Sequence, residues 1–99
     1  KQSEKYLKKL FKLLDENNVK SHLIIYPWPT QIQFGDTKHA AHWKKFSKTN
    51  DINFLDLYYI FNKTEKRETI FNNYIYGDIH WNKNGTIKIF NEIMNKIEF

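Results

Sequence analysis

One short window near the end of the chain concentrates the residue types that do acid–base chemistry. Asp78 and His80 lie two positions apart, just before an apolar pattern of helical spacing. Side chains two apart in extended or irregular backbone project to the same side, so this carboxylate and imidazole can share a pocket. A carboxylate beside an imidazole fixes the ring tautomer and stabilises the imidazolium that forms when the ring takes a proton from a hydroxyl. The spacing therefore indicates the acid and base of a Ser-His-Asp arrangement, with a helix-capping loop that does no chemistry as the alternative.

Two further residues are expected to hold this window in one conformation. Asn82 is placed to cap the helix that follows, because an amide oxygen at that position accepts hydrogen bonds from the first free backbone N–H groups. Gly85 falls in the first turn of that helix, where the missing side chain allows close approach of another backbone segment.

A second, weaker cluster has the residue types of a metal site. His39 and His42 lie three positions apart on a predicted helix, with Asp36 just before it. That spacing occurs in metal sites, but no zincin glutamate and no evident third ligand accompany it. The chain contains no cysteine, which excludes thiolate ligands and a disulfide framework. We therefore expect exposed helix histidines, no metal and no cofactor.

Helices and strands alternate along the chain, which predicts an α/β fold with a parallel sheet. The segment Leu23–Tyr26 is continuously apolar and stops at Pro27, as in a strand buried on both faces. In the first half, the other predicted elements are an amphipathic helix over 4–17, a loop over 28–37 and a short helix over 39–46. In the second half they are a strand around 52–55, a helical turn over 57–61, a loop over 62–69 and a closing helix from residue 83 onward. The apolar segment 70–76 could be either helix or strand. Two clear strands are too few for a stable sheet of this kind, so we expect the sheet to need partners outside this chain.

Length and composition limit the remaining possibilities. The chain has 99 residues, of which 40% are hydrophobic and 17% aromatic, as expected for one small folded domain and not for a disordered tail. The formal charge is +5, but residues 51–99 carry six basic and seven acidic side chains, so the excess lies in the first half. Fifteen of the sixteen basic residues are lysine, whereas recognition of phosphate and guanine favours arginine. We therefore expect a solvated basic face without a nucleic-acid partner. No apolar run approaches the roughly 18 residues of a membrane span.

Two longer segments resemble SGNH/GDSL-type hydrolases. The segment 78–82, Asp-Ile-His-Trp-Asn, followed by Gly85, is similar to the C-terminal catalytic block of that superfamily. The segment 23–29, Leu-Ile-Ile-Tyr-Pro-Trp-Pro, followed by Gln-Ile, resembles the Tyr-Pro-Trp-Pro strand end of a bacterial subgroup. Further residues that recur there in the same order are Trp43, Phe46, Phe54, Leu55, Asp56, Leu57 and Phe61. The resemblance covers nearly the whole chain, and it implies a flavodoxin-like three-layer α/β/α fold and ester or acyl-transfer chemistry, often on acylated carbohydrate.

The same resemblance assigns roles and shows what is missing. It makes His80 the catalytic base and Asp78 its orienting acid. The family's nucleophilic serine stands in a Gly-Asp-Ser block after the first strand, and its oxyanion donors follow in the next two blocks. Only the triplet 35–37, Gly-Asp-Thr, imitates that block, and it falls in a different place. We therefore expect residues 1–99 to be a single partial domain, the C-terminal half of an SGNH-type domain. The nucleophile-bearing half would lie outside it, and the chain would be inactive alone.

The expected partners follow from these roles. Trp28 and Trp81 each follow an element of the expected site, so they are candidates for substrate contact, with core or rim packing as the alternative. The substrate would be an acylated small molecule or carbohydrate, and the missing N-terminal half would be the protein partner. An extracytoplasmic envelope location is implied by the resemblance alone. A non-catalytic binding or interaction module with a basic first half is the alternative function.

Overall fold

The computed structural model describes residues 2–62 and 65–98 of the chain. In these residues the elements run in the order α1 (Gln2–Glu16), β1 (Leu23–Ile25), α2 (Pro29–Phe34), α3 (Lys38–Thr49), β2 (Phe54–Asp56), a 3₁₀-helix (Tyr58–Phe61), α4 (Lys66–Asn73) and α5 (Lys83–Lys96). The prediction of a mixed α/β chain is confirmed. The first, third and last helices were expected, although α3 extends beyond the predicted 39–46.

The two strands pair in parallel and form a two-stranded sheet among the described residues. Leu23 lies opposite Phe54, and Ile25 lies opposite Asp56. The Leu23 N–H donates to the Asn53 carbonyl and the Ile25 carbonyl accepts from the Leu57 N–H, each at 2.8 Å. Because backbone groups alternate in direction along a parallel strand, the Ile24 N–H and C=O face the other edge of β1, where no described strand pairs. The strand residues are half-buried, so the prediction that Leu23–Tyr26 is buried on both faces is wrong in this structure.

The core lies where the strands end and the following segments meet. Leu57 and Phe61, directly after β2, are almost completely buried. The buried cluster comprises Ile32, Leu57, Ile60, Phe61, Tyr74 and Ile89, with Ile24, Leu55, Ile70, Trp81 and Ile93 packed against it. The core therefore fixes the strand ends relative to α2, α4 and α5.

The predicted loop over 28–37 is wrong, since residues 29–34 form α2. Pro29 at the first helical position has no N–H to leave unsatisfied and a backbone angle already suited to a helix. The Gln31 side-chain oxygen accepts from the Trp28 N–H at 2.8 Å, and Gly35 ends the helix with φ of 62°. These local signals outweigh the polar composition that favours a loop.

The predicted loop over 62–69 is also wrong in its second part, because α4 begins at Lys66. Residues 63 and 64 lie outside the described residues. The Glu65 carboxylate caps the helix by accepting from the N–H groups of Arg67 at 2.7 Å and Glu68 at 3.1 Å. These hydrogen bonds lower the pKa of Glu65. The open assignment of 70–76 resolves into the end of α4 and the loop that follows it.

Two helices leave apolar stripes exposed. Helix α1 has no buried residue. The exposed apolar side chains are Tyr6, Leu10 and Leu13 on α1 and Ile87, Phe90 and Met94 on α5. Within 2–62 and 65–98, no helix is long and apolar enough to cross a membrane.

Candidate active site

Asp78 and His80 are in direct contact. The Asp78 Oδ1 atom lies 2.6 Å from His80 Nδ1. The same oxygen accepts from the backbone N–H of Ile79 at 2.6 Å and of His80 at 3.1 Å. The side chains are 44% exposed for Asp78 and 73% for His80, so the pair lies on an open surface and not in a closed cavity.

The hydrogen bonds decide which ring nitrogen carries the proton. They lower the pKa of Asp78, with the bond from the His80 ring as the largest cause and the two backbone N–H groups adding to it. An ionised carboxylate only accepts hydrogen bonds, so His80 Nδ1 must be the donor. In the neutral ring the lone pair is then on Nε2, and no described residue hydrogen-bonds to that atom. A tautomer fixed in this way is the state in which a histidine accepts a proton.

The loop that carries the pair is a tight, internally bonded turn. The Ile75 N–H donates to the His80 carbonyl and the Ile75 carbonyl accepts from the Asp78 N–H, both at 2.9 Å. Gly77, between them, has φ of 73°, a conformation that costs glycine little and other residues more. Asp78 and His80 therefore approach each other because the backbone turns, and not because an extended segment places them on the same side.

The base of this loop is clamped between α4 and α5. Tyr74 and Trp81 form an antiparallel bridge, and the Asn82 N–H donates to the Asn73 carbonyl at 3.0 Å. The Asn82 side chain accepts from the Gly85 N–H at 2.9 Å, which confirms its predicted capping role. A Cβ atom at Gly85 would lie 2.1 Å from the Asn73 carbonyl oxygen, so the predicted close approach is also confirmed.

Asparagine side chains reinforce this clamp from both sides. The amide groups of Asn82 and Asn84 donate to the Asn72 carbonyl at 3.1 and 3.0 Å. Asn84 also donates to the Asn73 side chain at 3.2 Å. The carbonyls at the end of α4 thus obtain partners from the start of α5, which fixes the two helix ends on either side of the loop.

Tyr74 joins the loop to the end of β1, although no pattern in the sequence predicts a functional role for this residue. Its buried hydroxyl donates to the Pro27 carbonyl, and burial raises the pKa of Tyr74. Next to it, the Tyr26 and Trp81 rings meet edge to face at 4.6 Å between centroids. The segments 23–29 and 78–82, which the sequence analysis singled out, are therefore in contact.

The Gln31 side chain also forms hydrogen bonds near the end of β1. Its side-chain oxygen, which accepts from Trp28, also accepts from the Tyr58 hydroxyl at 3.0 Å. Burial is the main cause that raises the pKa of Tyr58. The Tyr58 N–H in turn donates to the Asp56 carboxylate at 2.8 Å. The turns after β1 and β2 are thereby tied together.

The two tryptophans have different environments. Trp81 is half-buried and packs against the core and Tyr26. Trp28 is the residue before α2 and is 48% exposed. Trp81 thus contributes to packing, whereas Trp28 has a free surface, and contact of either ring with a substrate stays a prediction.

The second cluster of histidines has another arrangement. His42 Nε2 lies 2.9 Å from the Glu4 carboxylate, a contact that links α3 to α1. His39 is exposed on α3. Across the described ranges, no group of three histidine or carboxylate side chains could hold a metal ion.

No family model matches this chain, and no curated protein or solved structure matches it significantly. The chemistry of the site therefore has to be inferred from its own residues.

Proposed function

We propose that this chain supplies the general base and its orienting carboxylate to an SGNH-type ester hydrolase or O-acyltransferase. The observation that carries the proposal is the 2.6 Å contact between Asp78 Oδ1 and His80 Nδ1, with Nε2 open to the surface. A histidine that only fills a gap in a packed capping loop would have a buried ring. His80 instead has one nitrogen fixed by an anion and the other free for a reacting group.

The proposed reaction needs a serine hydroxyl from outside residues 1–99. His80 Nε2 would take the hydroxyl proton as the serine Oγ bonds to the ester carbonyl carbon. The tetrahedral intermediate would then expel the alcohol, which takes the proton back from His80. The acyl group on serine would pass to water in a hydrolase or to a sugar hydroxyl in a transferase. Asp78 would stabilise the imidazolium in both halves of the reaction.

Three surface features support a larger domain around this chain. The outer edge of β1 presents the Ile24 backbone groups without a described strand beside it. Exposed apolar stripes lie on α1 and α5. A strand on that edge, with further chain over the two helices, would satisfy the backbone groups and bury the stripes. We propose that the nucleophile-bearing half of a flavodoxin-like three-layer domain fills this position, and that acylated carbohydrate is the substrate.

The test compares variants of a protein that contains residues 1–99 and the nucleophile-bearing half. His80→Ala is expected to lower kcat for an aryl acetate by at least about a thousandfold, as loss of a triad base does, and Asp78→Asn by less. His39→Ala removes an exposed histidine from α3 and should leave kcat unchanged. Residues 1–99 alone should hydrolyse p-nitrophenyl acetate no faster than free imidazole. Wild-type kcat in His80→Ala would refute the proposed role.

A further inference from the structure

A groove runs from the Asp78 end of the loop along α4. It has a volume of about 710 Å³ and lies between α2, α4 and the segment 75–79. Its apolar wall is formed by Ile70, Phe71, Tyr74, Ile75 and Ile79. Asp78, whose carboxylate contacts His80, is itself part of the lining, so one part of the groove lies beside the Asp78–His80 pair.

The exposed apolar side chains distinguish this groove from the rest of the surface. Phe71 is 73% exposed, and Ile75 and Ile79 are also exposed. Isolated exposed apolar residues are common, but a concave apolar surface beside reactive side chains is typical of a ligand site.

We propose that this groove binds the acyl chain of the ester substrate, an inference that rests on the proposed function. The reacting carbonyl must lie near His80, and Asp78 connects that position directly to the groove. Sugar hydroxyls need hydrogen-bond partners when they are buried, and the isoleucine wall offers none, whereas polar partners such as Thr30 and Gln33 lie on the α2 side of the groove. The apolar wall therefore fits the hydrocarbon part of the substrate better than its carbohydrate part.

The length of the groove indicates the class of acyl chain. Arg67 and Tyr74 both line it, and seven helical residues correspond to about 10 Å along α4. An acetyl group would fill only the end beside Asp78. Glu65, Lys66 and Arg67 lie at the opposite end with charges of both signs and a net charge of +1, so the apolar wall stops at this polar end. The groove therefore suits a straight acyl chain of medium length.

The test measures binding without turnover. Neutral N-methyloctanamide stands for the acyl part of an ester, and N-methylacetamide is its short counterpart. Both are titrated into ¹⁵N-labelled protein containing residues 1–99 while amide shifts are recorded. We expect the long amide to bind at least about tenfold more tightly and to shift the amides of Phe71, Ile75 and Ile79, because it buries more apolar surface.

Matched variants separate this inference from the catalytic proposal. Phe71→Ser should weaken binding of the long amide about tenfold, since it removes one wall of the groove. Phe34→Ser replaces a phenylalanine that is 75% exposed and does not line the groove, so it should change nothing. If Phe71→Ser loses its amide dispersion, Ile79→Ser is the second test of the same wall. His80→Ala should bind the long amide normally, so loss of catalysis and loss of the groove are distinguishable. Equal affinity for the two amides, or shifts confined to α1 or α5, would overturn the inference.

Discussion

Replacing Gly85 with alanine tests the clamp that holds the Asp78–His80 loop. The new Cβ would lie 2.1 Å from the Asn73 carbonyl oxygen, where ordinary contact begins at 3.4 Å, so α5 would have to move by about 1.3 Å. The atom in the way is backbone, which cannot rotate aside as a side chain does. A movement of this size would also break the 3.0 Å hydrogen bond from the Asn82 N–H to the same carbonyl.

The expected loss of stability is the sum of two destabilising effects and one stabilising effect. Overpacking costs about 1–3 kcal/mol. The broken hydrogen bond adds about 1 kcal/mol, and alanine returns up to about 1 kcal/mol through its higher helix propensity. The free energy of unfolding should therefore fall by about 2 kcal/mol, which lowers the urea midpoint by about 1 M for a slope of about 2 kcal/mol/M.

The assay is urea unfolding followed by circular dichroism on a protein containing residues 1–99. Lys88→Ala is the control, because it makes an alanine on the exposed side of the same helix and should change stability by less than about 0.5 kcal/mol. Gly85→Ala should also shift the amide signals of Asp78 and His80, since the loop is anchored at this contact. An unchanged or raised midpoint with unmoved loop signals would show that α4 and α5 do not approach in this way.

Three further predictions follow from other contacts of the structure. Hydrogen bonds lower the pKa of Asp78, so their stabilising effect should be complete above the ordinary pKa of 3.8 and be lost as the pH falls through the lowered pKa. The amide chemical shift of His80 should follow the titration of Asp78, and Asp78→Asn should abolish this pH dependence. Tyr74→Phe should lower the free energy of unfolding by about 1–3 kcal/mol, because the buried Pro27 carbonyl loses its donor. Tyr76→Phe, at an exposed position, should have no effect. Urea unfolding measures both, and an equal effect of the two changes would contradict this prediction. Residues 1–99 alone should self-associate through the open edge of β1, and sedimentation measures this association. A sharp, reversible thermal unfolding transition of a monomer would contradict the proposal that the sheet needs further strands.

Hydrophobic spacing predicted α1, α3 and α5 but not α2 and α4. Helix α4 buries Thr69 and Asn73, which are polar, so no apolar periodicity marks it. Its clearest signal was Glu65 three residues before Glu68, a charged variant of the usual capping pattern. Helix α2 is only six residues long and starts after Trp28, which is not a typical cap residue. In both helices local hydrogen bonds determine the structure, and the spacing of apolar residues does not indicate these hydrogen bonds.

The candidate site was predictable to the extent that it is local. Asp78 and His80 were identified from their spacing, and Asn82 and Gly85 from their positions at the start of a helix. The contacts of these residues lie within a few positions of one another or at the adjoining helix end. Tyr74 was not identified, since its partner Pro27 is 47 positions away and the pairing depends on how the helices pack.

This difference between local and distant contacts also explains how the proposed general base can be ordered without the proposed nucleophile. The turn at Gly77 and the hydrogen bonds of Ile75 fix the orientation of the ring within six residues, so the Asp78–His80 contact needs no contribution from the sheet. A hydroxyl within reach of His80 Nε2 depends instead on another strand end at the same edge of the sheet, and the described residues provide two strands only. A protein containing both halves should therefore show little change at the Asp78–His80 contact when the sheet is completed, and a large change in reactivity toward esters. If the ring instead reorients when the missing strands are added, the preorganisation inferred from this loop is wrong.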